Sequence, residues 1–444
     1  MKKISRRKFI KLSAQTTALT LLPGCVKKVR VGDKATIRLV DGITPAFTKM
    51  IRELLEKFHQ EHPNIKVTHE PYGTSGFEDK VLTQAIAGTA PDVFAGGDKT
   101  FFRLIEMDQA LDLEPFIQTD LSQEIKNDFA PTQFNAYLSD DGKKRFAIPR
   151  TMGVIALYYN KSIFREEKIS FPDGSWTHAD YRENIKKFVK KNAAGRVIRW
   201  GGYGMLPQWD RLDAHLHSFG GSFQNGRYQC TLGDPKTQSA LEWLRSLIWE
   251  DNAWPQPSQM ENYYFPPWTT GKLATIEDGN FMLSYFVRGI DNQFEWDIVP
   301  FPIGPAGNYT SMNDDSFMVY KQTKYPEACW ELIKFLTSRE FLLGQCQAEG
   351  PPPSRFSLMD EYIQIMQEQH PVLKKVNIKI FYDQLRSKKT VKYPYFPQFG
   401  KIQEIINPIF DQVFMLGKAP VSKFTEAAEK TNQFLSGLQQ KLTS

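Results

Sequence analysis

FAIPRTMGVIALYYN, residues 146–160, is one long run of residues that favour extended structure. It is rich in the β-branched and aromatic side chains that are enriched in strands. The run is longer than the usual strand of about 5–6 residues, and Gly153 lies near its middle. A strand of this length can leave one packed unit of a protein and continue into a second. We therefore expect residues 146–160 to cross between two lobes.

The residues before this run alternate between strand and helix patterns. Residues 35–40, ATIRLV, form a short strand pattern. In residues 45–61 the apolar side chains recur at intervals of three and four, which predicts a helix with one buried face. The next predicted elements are a strand at 65–67, a helix at 77–87 and a strand at 92–95. Strands that alternate with helices through short connections predict a parallel sheet with right-handed crossovers.

The residues after the run continue this alternation. The patterns predict helices and β-type segments, and two further segments are candidates for connections between lobes. The segment 296–301 is a second candidate crossing strand, and the rigid, non-helical GPPP at 350–353 is a third candidate connection. The predicted helices are at 180–191, 237–250, 326–337 and 422–442, and the predicted β-type segments are at 271–278 and 296–301. The fold class predicted from this organisation is α/β, with two lobes that exchange chain.

The first 25 residues, MKKISRRKFIKLSAQTTALTLLPGC, have the layout of an export signal. The apolar stretch at 12–22 is too short to span about 30 Å of hydrocarbon as a helix. Arg6 and Arg7 lie in a run that resembles the twin-arginine export signal, and LPGC resembles a bacterial lipobox in which Cys25 is lipidated. We therefore predict an export signal at 1–24 and a lipidated Cys with a linker at 25–34, so that acyl chains hold the body on a membrane. The alternative is an ordinary secretion signal with a chance Arg pair and a chance Cys.

The composition is that of a globular protein, since 41% of the 444 residues are hydrophobic and 24% are charged. This length is enough for two or three domain cores. The formal net charge is +6, but residues 1–30 contain nine Lys and Arg and no acid. The rest of the chain is therefore faintly acidic, which argues against a nucleic-acid partner because such a protein needs a basic face. No later segment has 18 consecutive apolar residues, so we expect a tethered body rather than a membrane-spanning one.

The chain lacks the sequence signatures of catalysis and of metal binding. It contains no G-x-S-x-G elbow, no P-loop, no G-x-G-x-x-G and no H-E-x-x-H motif. It also lacks a C-x-x-C pair. Cys230, Cys329 and Cys346 are best explained as small buried hydrophobic residues, although a Cys329–Cys346 bridge stays open. We therefore predict no metal, no cofactor and no enzymatic activity.

Six segments resemble, in the same order, the motifs of the family-1, carbohydrate-type solute-binding proteins of ABC importers, which include the maltose-binding protein. Each match is weak alone, but together they cover most of residues 35–440. The segments are AIAGTAPDV (85–93), IPRTMGVIALYYNK (148–161), SWT (175–177), GKLATIEDGNF (271–281), PEACWELIKFL (326–336) and GPPPSR (350–355).

This resemblance implies a periplasmic-binding-protein fold, in which two α/β lobes flank a ligand cleft and are linked by hinge crossovers. We place lobe 1 at residues 35–151 plus 299–347 and lobe 2 at residues 152–298 plus 348–444. The resemblance implies a protein that closes its lobes around a sugar or oligosaccharide. Together with the predicted lipid anchor, we expect a membrane-anchored monomer with its body in the periplasm or at the cell surface. The implied partners are the saccharide, the membrane surface and the permease subunits of an ABC importer.

Three aromatic residues are candidates for the flat surfaces that the apolar faces of a sugar require. Phe281 is the first, because it lies where the resembled family carries a ring-stacking Trp. Trp209 follows a Gly-rich stretch and is the second candidate, because an exposed loop is an unusual place for Trp without a ligand. Tyr395 lies in the aromatic and proline-rich segment KYPYFPQFG. The ordinary alternative for each ring is packing in a core.

Three polar residues are candidates for hydrogen bonds to sugar hydroxyls. Asp98 follows the third predicted strand, where parallel sheets present their ligand loops, although glycines replace the aromatic residue of the resembled family. Thr44 lies in the first strand–helix loop. Asp314, beside Asp315, precedes a strand that returns to lobe 1. The ordinary alternatives are helix caps and turn residues.

Other functions fit the same sequence. An importer receptor for glycerol phosphate would place Arg, Lys and helix N-termini in the cleft. A receptor for a polyamine-like cation would use Asp98 and Asp314 with aromatic rings. A surface-anchored carbohydrate-active enzyme would need two carboxylates at a defined separation. Binding without product formation would favour a receptor, whereas turnover of a glycoside would favour the enzyme.

Overall fold

The computed structural model describes residues 34–41, 45–72, 76–204, 209–260, 267–348, 350–387 and 389–443. The predictions for the export signal with Arg6 and Arg7, for the lipidated Cys25 and for Thr44 lie outside the described residues. Within these ranges the chain is a mixed α/β protein, as predicted. No helix in the same ranges combines the length and the apolar character needed to cross a membrane.

Lobe 1 begins with the strands and helices that precede the long run. β1 pairs in parallel with both β2 and β3, as the sequence predicts. The strands are β1 (Ala35–Asp41), β2 (Ile65–Pro71) and β3 (Val93–Gly96). The helices are α1 (Pro45–Glu61), α2 (Phe77–Ile86), α3 (Asp98–Glu106), α4 (Glu114–Asp120), α5 (Gln123–Asn127) and α6 (Pro131–Phe134).

The predicted crossing run forms one buried strand, β4 (Ala147–Asn160). Its residues 147–154 pair antiparallel with β9 (Thr310–Val319), which also pairs with β3 of lobe 1. Its residues 155–160 pair with β7 (Thr275–Gly279) and β8 (Trp296–Val299) of lobe 2. A single sheet in the order β2-β1-β3-β9-β4-β7 therefore runs through both lobes.

The second crossing strand is β9, and the prediction that residues 296–301 make this crossing is wrong. β8 pairs only with the lobe 2 half of β4. The sequence predicts a strand only after Asp315, because the first half of β9 is polar and lacks the apolar pattern of a buried strand. The proline-rich segment runs along β4, where Met152 N–H donates to Pro352 O at 3.0 Å.

Lobe 2 is mainly helical and surrounds the second half of β4. Its short strands β5 (Lys190–Lys191) and β6 (Val197–Arg199) form a hairpin, so the helix predicted at 180–191 ends earlier, and β10 (Thr390–Val391) pairs with β9. The remaining helices are α7 (Lys161–Glu166), α8 (His178–Lys187), α9 (Trp209–Ser218), α10 (Pro235–Trp249), α11 (Leu283–Ile290), α12 (Pro326–Leu336), α13 (Arg339–Gln347), α14 (Met359–Gln369), α15 (Ile380–Arg386), α16 (Phe399–Phe410) and α17 (Lys423–Thr443). Of these, α12 packs in lobe 1, and α13 packs on both sides, with Phe341 in a lobe 1 cluster and Leu342 and Cys346 in a lobe 2 cluster.

Each lobe has its own hydrophobic core. In lobe 1, Phe58 and Phe317 lie on one face of the sheet, and Phe94 with Phe101 lies in a second cluster. Two further clusters fill lobe 2; one contains Trp254 and Phe414, and the other contains Tyr158, Trp268 and Phe381. Separate cores allow each lobe to move as a unit about the connections between them.

Candidate functional site

The turn that follows β7 places Phe281 at the boundary between the lobes. Asn280 begins this turn, and its Oδ1 accepts a hydrogen bond of 3.1 Å from Val154 N–H. Its Nδ2 donates to Met152 O at 3.0 Å. These two bonds hold the turn against β4 where β4 passes from one lobe to the other. Phe281 is thus positioned by rigid backbone.

Gly279 makes room for the Phe281 ring, because a Cβ atom at this position would fall well inside contact distance of the ring. A Cβ atom at position 153 would instead meet Asn313, 2.9 Å from its Cβ, and would lie at ordinary contact distance, 3.5 Å, from Phe281 Cδ1. The Phe281 side chain is nevertheless among the exposed large hydrophobic residues, at 37%. Part of the ring therefore covers β4 and β7, and part offers an electron-rich aromatic face to a ligand.

Polar side chains come from the paired strands β4 and β9 in the same region, where Asn313 and Phe281 both lie near Gly153. Gly153 is opposite Asn313 in the strand pairing, and Thr151 is opposite Asp315. Asp315 Oδ2 accepts a bond of 3.3 Å from Thr151 Oγ1 and lies 3.5 Å from Arg150 Nη1. Asp315 Oδ1 and Asn313 Oδ1 have no hydrogen-bond partner in the described part of the chain. We call Phe281, Asn313, Asp315, Arg150 and Thr151 the hinge cluster.

The charge of Asp315 is set by two opposing effects. Burial raises the pKa of Asp315 and outweighs the nearby guanidinium of Arg150 and the hydroxyl of Thr151, which lower it. Arg150 is itself fixed by Gln345, because its Nε donates to Gln345 Oε1 at 2.8 Å. The hinge cluster therefore combines an aromatic surface with carboxylate and amide oxygens that can accept bonds from ligand hydroxyls.

A buried carboxylate at the end of β1 is a feature that the sequence reasoning missed. Asp41 Oδ2 lies 2.8 Å from His69 Nε2, and the two side chains are almost fully buried. Asp41 Oδ1 has no hydrogen-bond partner among the described residues. The available signal was an acid at the carboxyl end of a parallel strand, which is the edge where such sheets bind ligands.

Buried charges beneath the Phe281 turn connect α9 to β7. Arg211 Nη2 donates to Asp278 Oδ1 at 2.9 Å, and His215 Nε2 lies 2.9 Å from Glu277 Oε2. Burial is the largest effect and lowers the pKa of Arg211, but the neighbouring acids Asp278, Asp210 and Glu277 together outweigh it, so the pKa is raised. Because Asp278 and Glu277 end β7, these pairs fix the strand from which the Phe281 turn begins.

A cavity of about 650 Å³ lies between the two lobes. Its lobe 1 side is formed by α3 and by residues 135–146, and its lobe 2 side includes Gln224, Arg227 and residues 392–395. Tyr395 lines this cavity, but its ring is stacked on Phe102 with centroids 4.5 Å apart. The structure therefore brings Tyr395 to the interface between the lobes, but both faces of its ring are covered, the second by Phe399.

The other predicted site residues lie in different surroundings. Trp209 is 3% exposed, and its ring packs against Phe223 and Phe399 in the core of lobe 2. It has no open face, so we do not include it in the candidate site. For Asp98 and Asp314 the structure describes only the backbone, which places Asp98 at the start of α3 and Asp314 in β9 opposite Met152.

The cysteines give no sign of redox or metal chemistry. Cys230, Cys329 and Cys346 are buried and unpaired, so the Cys329–Cys346 bridge that the sequence left open is not formed. Burial raises the pKa of Cys230 and of Cys346 to about 12, which keeps both thiols protonated. In the part of the chain that the structure describes, no three His, Cys, Asp or Glu side chains are arranged to hold a metal ion.

Comparison with known sequences finds one matching family. The sequence profile of the bacterial extracellular solute-binding proteins matches residues 42–341. Among curated proteins, a putative binding protein of Brucella abortus is 22% identical over 329 residues, which is 70% of this chain and 74% of that protein. A putative binding protein of Brucella suis matches to the same extent.

Comparison with solved structures finds the same architecture. An ABC substrate-binding protein from Listeria monocytogenes, in complex with cycloalternan, has a TM-score of 0.74 and 21% identity, over 92% of this chain and 100% of that one. The maltose/maltodextrin-binding domain from Bdellovibrio bacteriovorus, bound to maltotriose, has a TM-score of 0.69 and 18% identity, over 92% and 100% of the two chains. These similarities confirm the predicted fold of two α/β lobes around a cleft.

Proposed function

Because this chain belongs to the bacterial extracellular solute-binding proteins, we propose that it captures a sugar or oligosaccharide between its lobes and delivers it to the permease of an ABC importer. The compared structures that contain cycloalternan and maltotriose support a saccharide as the ligand. Closure of two lobes around a ligand works because only the closed state makes contacts from both sides, so binding shifts the population towards it.

The hinge cluster is the observation that carries the proposal. Phe281 presents a partly exposed ring at the junction of the lobes, and the adjoining pairing of β4 with β9 carries the oxygens of Asn313 and Asp315 that have no partner among the described residues. A sugar has apolar C–H faces and a rim of hydroxyl groups. The ring matches the first feature, and the carboxylate gives charge-assisted hydrogen bonds to the second.

The protein acts in this proposal by binding alone. The family and the compared structures are binding proteins. Thr151 and Arg150 contact one oxygen of the Asp315 carboxylate and fix its position, which fits a role in binding a ligand. Release of product from a labelled oligosaccharide would contradict this proposal and support a carbohydrate-active enzyme.

A solute with a protonated amine is the second candidate ligand. The observation that favours it is the pair of carboxylates, Asp41 and Asp315, that each keep one oxygen without a partner among the described residues. A buried or partly buried carboxylate can hold an ammonium group by a charge-assisted bond. The same ligand screen that tests the saccharide distinguishes the two.

Export and membrane attachment form part of the proposal. The resemblance of the region around Arg6 and Arg7 to a twin-arginine signal and of LPGC to a lipobox supports an exported monomer, tethered through Cys25 at the membrane surface where a permease lies. Mass spectrometry of the mature chain tests this, because a lipidated Cys25 at its N-terminus is expected. We also expect the variant Cys25→Ser to be released from the membrane.

A thermal-shift and calorimetric screen of residues 31–444 tests the ligand class. At 100 times its Kd a true ligand stabilises the protein by about 2.7 kcal/mol, which is a shift of a few degrees in Tm. We expect saccharides to give this shift. A shift with polyamines alone would overturn the saccharide, and no shift with any saccharide, amine or phosphate ester would overturn the receptor function.

The variant Phe281→Ala tests the place of binding. Loss of a central aromatic contact costs more than about 1.4 kcal/mol, so we expect the Kd of the saccharide to rise at least tenfold. Phe171→Ala is the matched control, because Phe171 is 39% exposed and packs elsewhere in lobe 2 against Tyr159 and Phe164. Equal affinity in the two variants would remove Phe281 from the site.

A further inference from the structure

Helix α3 of lobe 1 directs one face towards lobe 2. Lys99, Phe102 and Glu106 are spaced by three and four residues, so they share a face of the helix. Phe101 and Leu104, on another face, are fully buried in a lobe 1 cluster. Phe102 packs against that cluster and also against the main cluster of lobe 2. The helix therefore belongs to lobe 1 and contacts lobe 2 through this second face.

The apolar part of the contact is a stack of three aromatic rings. The rings of Phe102 and Tyr395 have centroids 4.5 Å apart and an interplanar angle of 20°. The rings of Tyr395 and Phe399 have centroids 5.0 Å apart and an angle of 13°. Lys99 Nζ lies 5.5 Å from the ring centroid of Tyr393, within the range of a cation–π contact. Tyr395 is thus held between a ring of lobe 1 and a ring of lobe 2.

The polar part of the contact surrounds Glu106. Tyr395 Oη donates to Glu106 Oε2 at 3.1 Å, and Arg227 Nη2 lies 3.4 Å from Glu106 Oε1. Arg227 Nη1 also donates to Asp140 Oδ1 at 3.1 Å. Arg227 and Tyr395 belong to lobe 2, whereas Glu106 and Asp140 belong to lobe 1. Every one of these bonds would break if the lobes separated here.

We propose that Phe102, Glu106, Asp140, Arg227 and Tyr395 form an interlobe lock, which favours the closed arrangement of the lobes through contacts of the protein with itself. The contacts need no ligand, so they stabilise the closed state whether or not one is bound. Phe102 covers the face of Tyr395 on which a sugar ring would stack, so Tyr395 serves closure instead of ligand contact. The effect of the lock on ligand affinity rests on the proposed function, but its effect on the lobes does not.

The consequence for the ligand follows from the population of states. A ligand that binds between the lobes is held most strongly by the closed state, and its apparent affinity is proportional to the fraction of protein able to adopt that state. Weakening the lock lowers this fraction. We expect lock variants to bind the saccharide about tenfold more weakly, with faster dissociation.

The lock is tested first in protein without added ligand. Spin labels are attached to Gln123→Cys in lobe 1 and Glu429→Cys in lobe 2, both exposed positions, in a chain with Cys25→Ser whose other cysteines are buried. Pulsed electron resonance then measures the distribution of distances between the lobes. We expect Arg227→Ala and the conservative Tyr395→Phe each to shift this distribution away from that of the parent, towards more separated lobes.

Arg182→Ala is the matched control for the distance measurement. The side chain of Arg182 is 33% exposed, close to the 35% of Arg227, and it also forms ion pairs with two acids. Its partners, Glu250 and Asp251, lie in lobe 2 together with Arg182, so these ion pairs do not join the lobes. We expect this variant to keep the parent distribution. Identical distributions in the parent and both lock variants would overturn the lock. Failure of saccharides to bind the parent would overturn the proposed function and leave this result unchanged.

Discussion

A single methyl group at position 279 would meet the ring of Phe281. The backbone of Gly279 is in an ordinary extended conformation, so alanine introduces no backbone strain, and the half-exposed ring is free to move aside. We expect Gly279→Ala to displace the ring and to weaken saccharide binding about as much as Phe281→Ala, with little change in Tm. Isothermal titration measures this. Gly437→Ala is the control, since a Cβ atom at that position meets nothing within 4 Å. Equal saccharide affinity in Gly279→Ala and Gly437→Ala would show that the space at Gly279 does not position the Phe281 ring for binding.

His178 makes the stability of lobe 2 depend on pH. Its ring stacks on Trp243 at 4.3 Å, and burial, helped by the nearby His215, lowers its pKa from 6.5 to about 3. In the unfolded chain, His178 therefore takes up a proton as the pH falls below 6.5. In the folded chain it takes up this proton only near pH 3. Stability from this group is complete above pH 6.5 and is lost as the pH falls, by about 2 kcal/mol at pH 5.

Urea unfolding at pH 7.5 and pH 5.0 measures this loss. We expect His178→Phe, which keeps an aromatic ring against Trp243, to lose about 2 kcal/mol less than the parent between the two pH values. The comparison is made between pH values within each variant, so the cost of the lost contact with Ser218 cancels. The same pH dependence in both proteins would show that His178 is not the responsible group.

The sequence points to some residues of the candidate site and not to others, for reasons that lie in their partners. Phe281 could be selected because its neighbours in sequence form a recognisable motif. Trp209 could not be separated from a ligand-binding Trp, because Phe223 and Phe399, which bury it, come from distant parts of the chain. Asp41 was overlooked because its partner His69 lies on another strand.

At the scale of elements, strands with an apolar pattern were predicted well, and the polar first half of β9, which belongs to the candidate site, was not. β4 has a nearly continuous apolar sequence, and its predicted span differs from the observed one by one residue. β9 carries Asn313 and Asp315 of the hinge cluster, so its first half is polar and its pattern is broken. Local sequence rules fail most often at functional sites, where residues are chosen for their ligand.

Helix α9 illustrates an element held by buried charges. Arg211 and Asp278 have side chains 7% and 2% exposed, so neither is solvated by water. Arg211→Met leaves the Asp278 carboxylate buried without its cation, and such a loss costs about 3–5 kcal/mol of the free energy of unfolding. We expect urea unfolding to show this loss, and Arg211→Met combined with Asp278→Leu to recover most of it.

The control for this prediction is an ion pair on the surface. Lys423 and Glu426 are 43% and 53% exposed, so Lys423→Met is expected to change stability by less than about 1 kcal/mol. If Arg211→Met cost no more than this surface change, the buried pair would have no role in holding α9 to β7.

At the scale of the whole molecule, the two cores were predictable and the contact between them was not. The alternation of strands and helices and the length of β4 indicate two lobes joined by crossings. The interlobe lock depends on α3, residues 135–146, the segment around Arg227 and the segment around Tyr395, which are far apart in sequence. No local sequence pattern marks such a contact, because each of its residues also fits the helix or loop in which it lies.

A disulfide across the lobes would test whether ligand exchange requires them to separate. Thr132 in α6 and Thr390 in β10 face each other from opposite lobes, with their Oγ1 atoms 2.9 Å apart. This separation places the side chains within reach of a disulfide when both residues are replaced by cysteine. Cys230, Cys329 and Cys346 are buried with raised pKa values, so these thiols do not compete for the new cysteines.

We expect oxidised Thr132→Cys/Thr390→Cys to exclude a saccharide added afterwards and to retain one bound beforehand through extensive dialysis, because the closed lobes leave no route for exchange. Reduction with dithiothreitol should restore the dissociation rate of the parent. The single variant Thr132→Cys, treated with the same oxidant, is the control and should exchange ligand freely. Exchange at the parental rate in the oxidised double variant would mean that the saccharide enters without separation of the lobes on this side, and hinge closure would then lose its place as the step that captures the ligand.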